Sequence, residues 1–266
     1  MRREKYTAVV LAAGQGKRMG SRVYKQYLLL HEKPLIYYSL KAFGESTVDE
    51  IVLVVGKGEI DYCKKEIIEK YDLKKVRHIV EGGAQRYHSV ACGLRAIKDT
   101  DYVLIHDGAR PFLDLGIIER SKKAAKTYQA SVIGMPVKDT IKLADSQEFA
   151  EKTPNRERIW MMQTPQAFFY PLVFQAYETL LEVEQGKIGE SDKTLLNPNK
   201  IELLREKWEQ VNITDDAMVV ELLSDVPVKL IRGSYENIKI TTPEDLRIAG
   251  VLGSIETAWR NNCPKK

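Results

Sequence analysis

The chain holds 266 residues, 44% of them hydrophobic, with 41 Lys plus Arg against 37 Asp plus Glu, enough for one large domain spanning 1–266. A net charge of +4 does not mark a nucleic-acid binder, so any positive field that matters is local. No run approaches the ~20 apolar residues of a membrane span, no apolar h-region follows the basic first residues, and Cys63, Cys92 and Cys263 are odd in number and lack metal spacing; the expectation is a cytoplasmic protein with reduced thiols.

Thr7, Ala8, Val9, Val10 and Leu11 form an apolar run of the kind that makes a strand buried on both faces of a parallel sheet. It empties into Ala12, Ala13, Gly14 and Gly16, whose backbone N–H groups can approach an anion. Lys17, Arg18, Arg22 and Lys25 follow. A nucleoside triphosphate needs this combination: amides to cradle phosphate oxygens, and cations to offset charge at a five-coordinate phosphorus. By itself the stretch also fits a strand followed by a solvated loop. It is not a P-loop, because one residue separates Gly14 from Gly16 and Arg18 follows Lys17. Nor is it a dinucleotide fingerprint, since Met19 stands where the third glycine belongs.

Downstream, helical spacing over 35–43 with Pro34 in the first turn, a strand over 51–55, a helix over 60–71 and a strand over 76–80 alternate as βαβ units do. A helix over 89–97, a strand over 102–105, a helix over 117–128 and a strand over 130–135 continue the alternation, predicting an α/β protein with a mostly parallel sheet between two helical layers. Residues 138–158 are polar with turn-like stretches, which suits a surface hairpin or an arm resting on another subunit. A helix over 170–183 precedes a charged segment, 184–210, that has the look of an insertion with a short helix at 201–208. A helix over 215–223 capped by Thr214, strands over 226–231 and 238–241, and a final helix begun by Thr242 and Pro243 complete the expectation.

Two further clusters sit where a strand meets a loop. Gly82 and Gly83 precede Arg86, Ser89 and Val90 at a helix N-terminus, the ligand edge of an α/β sheet. His106, Asp107, Gly108, Ala109, Arg110 and Pro111 end a strand; a carboxylate there suits Mg²⁺, which takes one or two carboxylates plus phosphate oxygens and waters, and Arg110 suits a phosphate. As isolated residues Asp107 and Arg110 also fit an ion pair. His106 has no Ser or Cys nucleophile beside it and is assigned no proton transfer.

LAAGQGKRMG followed by KQY, the Gly82-Gly83, Arg86 and Ser89-Val90 pattern, HDGARP, the Gln163-Thr164-Pro165-Gln166 and Thr214-Asp215-Asp216-Ala217 stretches and Asn237 to Thr241 together resemble the 2-C-methyl-D-erythritol 4-phosphate cytidylyltransferases. The resemblance spans roughly 7–250. It implies a three-layer α/β/α Rossmann-like nucleotidyltransferase fold with a protruding β-arm over 138–158, a homodimer through that arm, and CTP and a polyol phosphate as substrates with Mg²⁺ at Asp107. Gly83 and Ser89 would meet the cytosine or ribose, Asp107, Gly108 and Arg110 the nucleotide and acceptor, and Thr140, Arg156 and Thr164 the methylerythritol phosphate. Arg18 and Lys25 would stabilise the transition state, and Lys239 would approach both phosphates. Arg156 rather than Arg158 fits by its distance from Ile159-Trp160. Two departures are Ala84, where some members carry an acidic residue, and the length of 184–210. The rival readings are a ribitol 5-phosphate cytidylyltransferase, a nucleotide-binding regulatory module without turnover and, more remotely, a dehydrogenase.

Overall fold

The computed structural model describes residues 2–14, 24–187 and 192–262, the last ten of these by backbone alone. Gly16, Lys17, Arg18, Met19, Arg22 and Cys263 therefore lie outside the described residues. Strands β1 (Tyr6–Ala12), β2 (Leu29–Leu30) and β3 (Lys33–Pro34) lead to α1 (Leu35–Glu45), β4 (Glu50–Val55) and α2 (Ile60–Tyr62), which continues as a π-helical stretch, Cys63–Glu69. Then come β5 (Val76–Glu81), α3 (Arg86–Arg95), β6 (Tyr102–Asp107), α4 (Leu115–Tyr128) and β7 (Ala130–Pro136). A hairpin, β8 (Leu143–Ala144) with β9 (Ala150–Lys152), precedes β10 (Trp160–Phe169), α5 (Tyr170–Glu184), α6 (Pro198–Lys207), α7 (Asp216–Leu223), β11 (Lys229–Arg232) and α8 (Pro243–Asn262).

The central seven-stranded sheet has the order β11-β7-β10-β6-β1-β4-β5. Its described ladders are parallel except those of β10, which runs antiparallel to both β6 and β7. Strand alternation assigns side chains to two cores. Val9, Val52, Val54, Val103 and Ile105 pack with α3, α5, α6 and α7. Ala8, Val10, Ile51, Leu53 and Leu104 pack on the other face with α1, the π-helical stretch and α4. All are buried, the Val, Leu and Ile side chains each contributing about 1.5–3 kcal/mol over leaving them in water, and a one-residue slip of β1 would exchange the two faces. Among the described residues no helix is long and apolar enough to cross a membrane.

Several expectations change. Strand β10 has no strand signature in the sequence: Gln163, Thr164 and Gln166 are polar yet buried, and Pro165 argues against a strand. A register shift between Met162 and Gln166 takes Pro165 out of the ladder. Residues 238–241 form no strand, because Ile240 is buried with Leu30, Leu35 and Ala249, and its N–H goes to the Ala109 carbonyl. Pro34 precedes α1 rather than opening its first turn. Asp215, not Thr214, caps α7, its carboxylate accepting the Met218 N–H at 2.9 Å. Within 184–210, α6 turns Ile201 and Leu204 into the core shared with α5 and α7.

Candidate active site

Loops leaving β1, β5 and β6 gather at one edge of the sheet, which is where a doubly wound fold offers a ligand its crevice. Two glycines let them come together. A Cβ on Gly82 would fall 2.6 Å from both the Ala13 methyl and Ser89 Oγ, and one on Gly108 would fall 2.3 Å from Ile36 Cδ1. The result is a cavity of about 600 Å³, within the usual range for small-molecule sites. Among the described residues Ala13, Gly14 and Lys25 line one wall, Gly83, Ala84, Arg86 and Ser89 another, and Asp107 and Lys239 the floor.

Asp107, at the end of β6, is 7% exposed. Its Oδ2 lies 2.7 Å from Lys239 Nζ, and its Oδ1 3.2 Å from Arg86 Nε. Arg110 Nε is 3.9 Å from Oδ2. Burial by itself would push this carboxyl up; Arg86, Lys239 and Arg110 outweigh it and hold the group well below the usual carboxylate range. Asp107 is thus an anion at neutral pH, wrapped in fixed positive charge.

Arg86 is itself fastened from behind. Its two terminal nitrogens donate to Asp216 Oδ1 and Oδ2 at 2.7 and 2.8 Å, a bidentate fork. Asp216 is wholly buried in the first turn of α7, and the Tyr177 hydroxyl of α5 donates to its Oδ1 at 2.5 Å. Gln166 Nε2 donates to Asp215 while its Oε1 accepts the Ala217 N–H, so the foot of α7 is tied to β10.

Thr164 is buried and does not line the cavity. Its Oγ1 accepts the Asp107 N–H at 3.0 Å and lies 3.0 Å from His106 Nδ1. Burial pushes the His106 imidazole down to about 4, so the ring is neutral at neutral pH. The Thr164 hydroxyl therefore donates to Nδ1, and Nε2–H faces the Arg110 carbonyl at 3.4 Å. Fully buried, His106 has no route to a substrate proton.

Arg110 is 9% exposed and does not line the cavity; its guanidinium donates to the carbonyls of Asn237, at 2.7 Å, and Met162, at 3.4 Å. Asn237 in turn donates to the Thr164 carbonyl at 2.9 Å. The side chain thus pins the loop that carries Lys239, and any phosphate contact through it would exchange these bonds. Ala12 and Gly108 support the floor from behind, Ala12 inside the core and Gly108 through its N–H to the Leu11 carbonyl. Thr140 and Arg156 stand apart: both are exposed on the arm, neither lines the cavity, and Arg156 donates to the Lys138 carbonyl at 3.3 Å.

Sequence reasoning gave no role to Arg86, Asp216 or Tyr177. Arg86 and Asp216 lie within the motif stretches after Gly83 and at 214–217, but their pairing spans 130 residues. Tyr177 sits among apolar residues of α5 and carried no signal.

A family model described as 2-C-methyl-D-erythritol 4-phosphate cytidylyltransferase matches residues 6–197 and 200–253. A protein of that name from Lachnoclostridium phytofermentans is 47% identical over 94% of this chain and 96% of its own length. Another, from Clostridium novyi, is 43% identical over 95% of this chain and 99% of its own. Among solved structures, 4-diphosphocytidyl-2C-methyl-D-erythritol synthase from Anaerococcus prevotii superposes with a TM-score of 0.75 at 30% identity, covering 94% of this chain and 96% of the other. With fold and sequence agreeing over nearly the whole length, the chain belongs to the 2-C-methyl-D-erythritol 4-phosphate cytidylyltransferase family.

Proposed function

We propose that the chain transfers the cytidylyl group of CTP to 2-C-methyl-D-erythritol 4-phosphate. It is a CTP-dependent nucleotidyltransferase. The acceptor's phosphate oxygen forms a bond to the α-phosphorus, the bond to the β-phosphate oxygen breaks, and pyrophosphate leaves. The attacking oxygen is already anionic at neutral pH, so no general base is required and the work left to the protein is alignment and charge stabilisation. The observation that carries this reading is the cation cluster of Arg86 and Lys239 around Asp107 on the floor of a crevice walled by Gly14 and Gly83. Lys25, which lines the same cavity, and Arg18 meet the charge that builds on the transferring phosphorus. Lys239 approaches both phosphates, Gly83 and Ser89 the base or ribose.

Nucleotidyl transfer of this kind uses a metal ion, and the donor set suits Mg²⁺. Among the described residues no cluster of three or more His, Cys, Asp or Glu could hold a metal by itself, whereas Mg²⁺ needs only one or two carboxylates beside phosphate oxygens and waters. Asp107 would be that ligand, since each of its oxygens keeps lone pairs beyond its one close cation. Bound there, the ion would neutralise triphosphate charge.

Arg156 and Thr140, exposed at the arm, complete the acceptor site of a partner subunit in a homodimer. The free thiols of Cys63 and Cys92 suit a cytoplasmic location. Pyrophosphate release from CTP and Mg²⁺, run in parallel with 2-C-methyl-D-erythritol 4-phosphate and ribitol 5-phosphate, tests the reading. Turnover with the first is expected; preference for ribitol 5-phosphate would move the assignment to that acceptor, and tight CTP binding without product would leave a regulatory module.

A further inference from the structure

Lys25 enters the cavity from a single 3₁₀ turn, Lys25–Tyr27, and the carboxylate that anchors that turn, Glu59, lies outside every sequence motif of the site. Tyr27 is 9% exposed and reaches away from the cavity into the core beneath β4. Its hydroxyl donates to Glu59 Oε2 at 2.6 Å and lies 3.0 Å from Cys63 Sγ, while its ring meets Tyr62 edge-on with centroids 5.0 Å apart. Glu59 Oε2 is fixed as well, for it accepts the Gly56 N–H at 3.1 Å, and a Cβ on residue 56 would fall 2.8 Å from the Glu59 Cδ. Burial pushes the Cys63 thiol up to about 11 and raises the Tyr27 phenol as well, so at neutral pH the Tyr27 hydroxyl keeps the proton it donates to Glu59.

We propose that Glu59, acting through the Tyr27 hydroxyl, is a positioning residue for Lys25. The chain of contacts is short. Tyr27 is two residues from Lys25, its N–H is held by the Tyr24 carbonyl at 2.9 Å, and the Leu28 N–H closes the turn on the Lys25 carbonyl at 3.2 Å. Releasing the hydroxyl frees the turn to shift, and a displacement of about 1 Å at a charge-stabilising group costs on the order of 10²-fold in rate. A wholly structural anchor would lower stability and leave the remaining turnover per folded molecule intact. The inference rests on the charge-stabilising role proposed for Lys25, and a double-mutant cycle separates the two.

Tyr27→Phe and Glu59→Ala are each expected to lower kcat by about tenfold or more, with KM for CTP within about twofold. Glu59→Gln, which keeps an oxygen acceptor, recovers most of the loss. In the Lys25→Ala background Tyr27→Phe changes nothing further, because the group it positions is gone. Melting curves normalise each rate to folded protein. A Tyr27→Phe variant with wild-type kcat would overturn the inference, as would an equal loss in both backgrounds. Full turnover by Lys25→Ala alone would instead overturn the role given to Lys25. Should Tyr27→Phe fail to fold, Glu59→Ala against Glu59→Gln gives the same reading: equal kcat in the two overturns the proposal.

Discussion

The floor of the cavity and the arm both carry charge that the proposed function assigns to phosphates, yet they are built in opposite ways. On the floor, Asp107 and Asp216 are buried, Arg86 bridges them, and backing comes from Tyr177, Thr164 and Asn237 on other elements. On the arm, Arg156 and Thr140 stand exposed, and the hairpin turns Leu143 and Phe149 outward, the latter 68% exposed. A charge locked by buried partners is preorganised before any substrate arrives, and the fold depends on it. A charge on an exposed hairpin costs the fold nothing when removed, and acts only once something covers it.

The largest expected effect is on stability at the floor. Asp216→Ala leaves the Arg86 guanidinium without its bidentate partner and the Tyr177 hydroxyl without an acceptor, and should cost about 3–5 kcal/mol in urea unfolding. A loss below about 1 kcal/mol would mean the network does not carry the fold. Next, Lys239→Met removes the closest cation from Asp107, a cavity-lining side chain that is 34% exposed, and should lower kcat by about 10²–10³-fold in steady-state assays. Thr164→Val orphans the Asp107 N–H and the His106 Nδ1 acceptor, a buried defect of about 1–3 kcal/mol read by thermal melting. Smallest on the fold is Arg156→Ala, whose unfolding free energy should stay within about 0.5 kcal/mol of the parent while KM for the polyol phosphate rises about tenfold. Unchanged KM would remove the arm from the acceptor site.

The parts of the fold that can be read from the chain are those where one physical signal dominates. Strands β1, β4 and β6 are buried on both faces and so appear as unbroken apolar runs. Strand β10 hides because its buried positions are filled by Gln163, Thr164 and Gln166, which look like loop residues until their partners on α7, the 234–237 turn and β6 are known. The stretch 238–241 misleads in the other direction, its apolar residues being packed under α8 without a ladder. At the site, Gly14, Gly83, Asp107 and Lys239 converge from loops that the alternation of strands already sends to one edge. What composition and spacing do not contain is the pairing of Arg86 with Asp216 or of Tyr27 with Glu59, since each depends on which helix lies beside which strand end.

The claim beneath all of this is that CTP occupies the crevice between the β1 and β5 loops. Ala84, exposed on the cavity wall, offers a way to close it without touching the charged floor. Calorimetric titration of CTP with Mg²⁺ into the parent and into Ala84→Trp should give binding in the first and a Kd at least about tenfold weaker in the second, with the melting temperature kept. Equal affinity in the two proteins would place the nucleotide elsewhere and contradict the account.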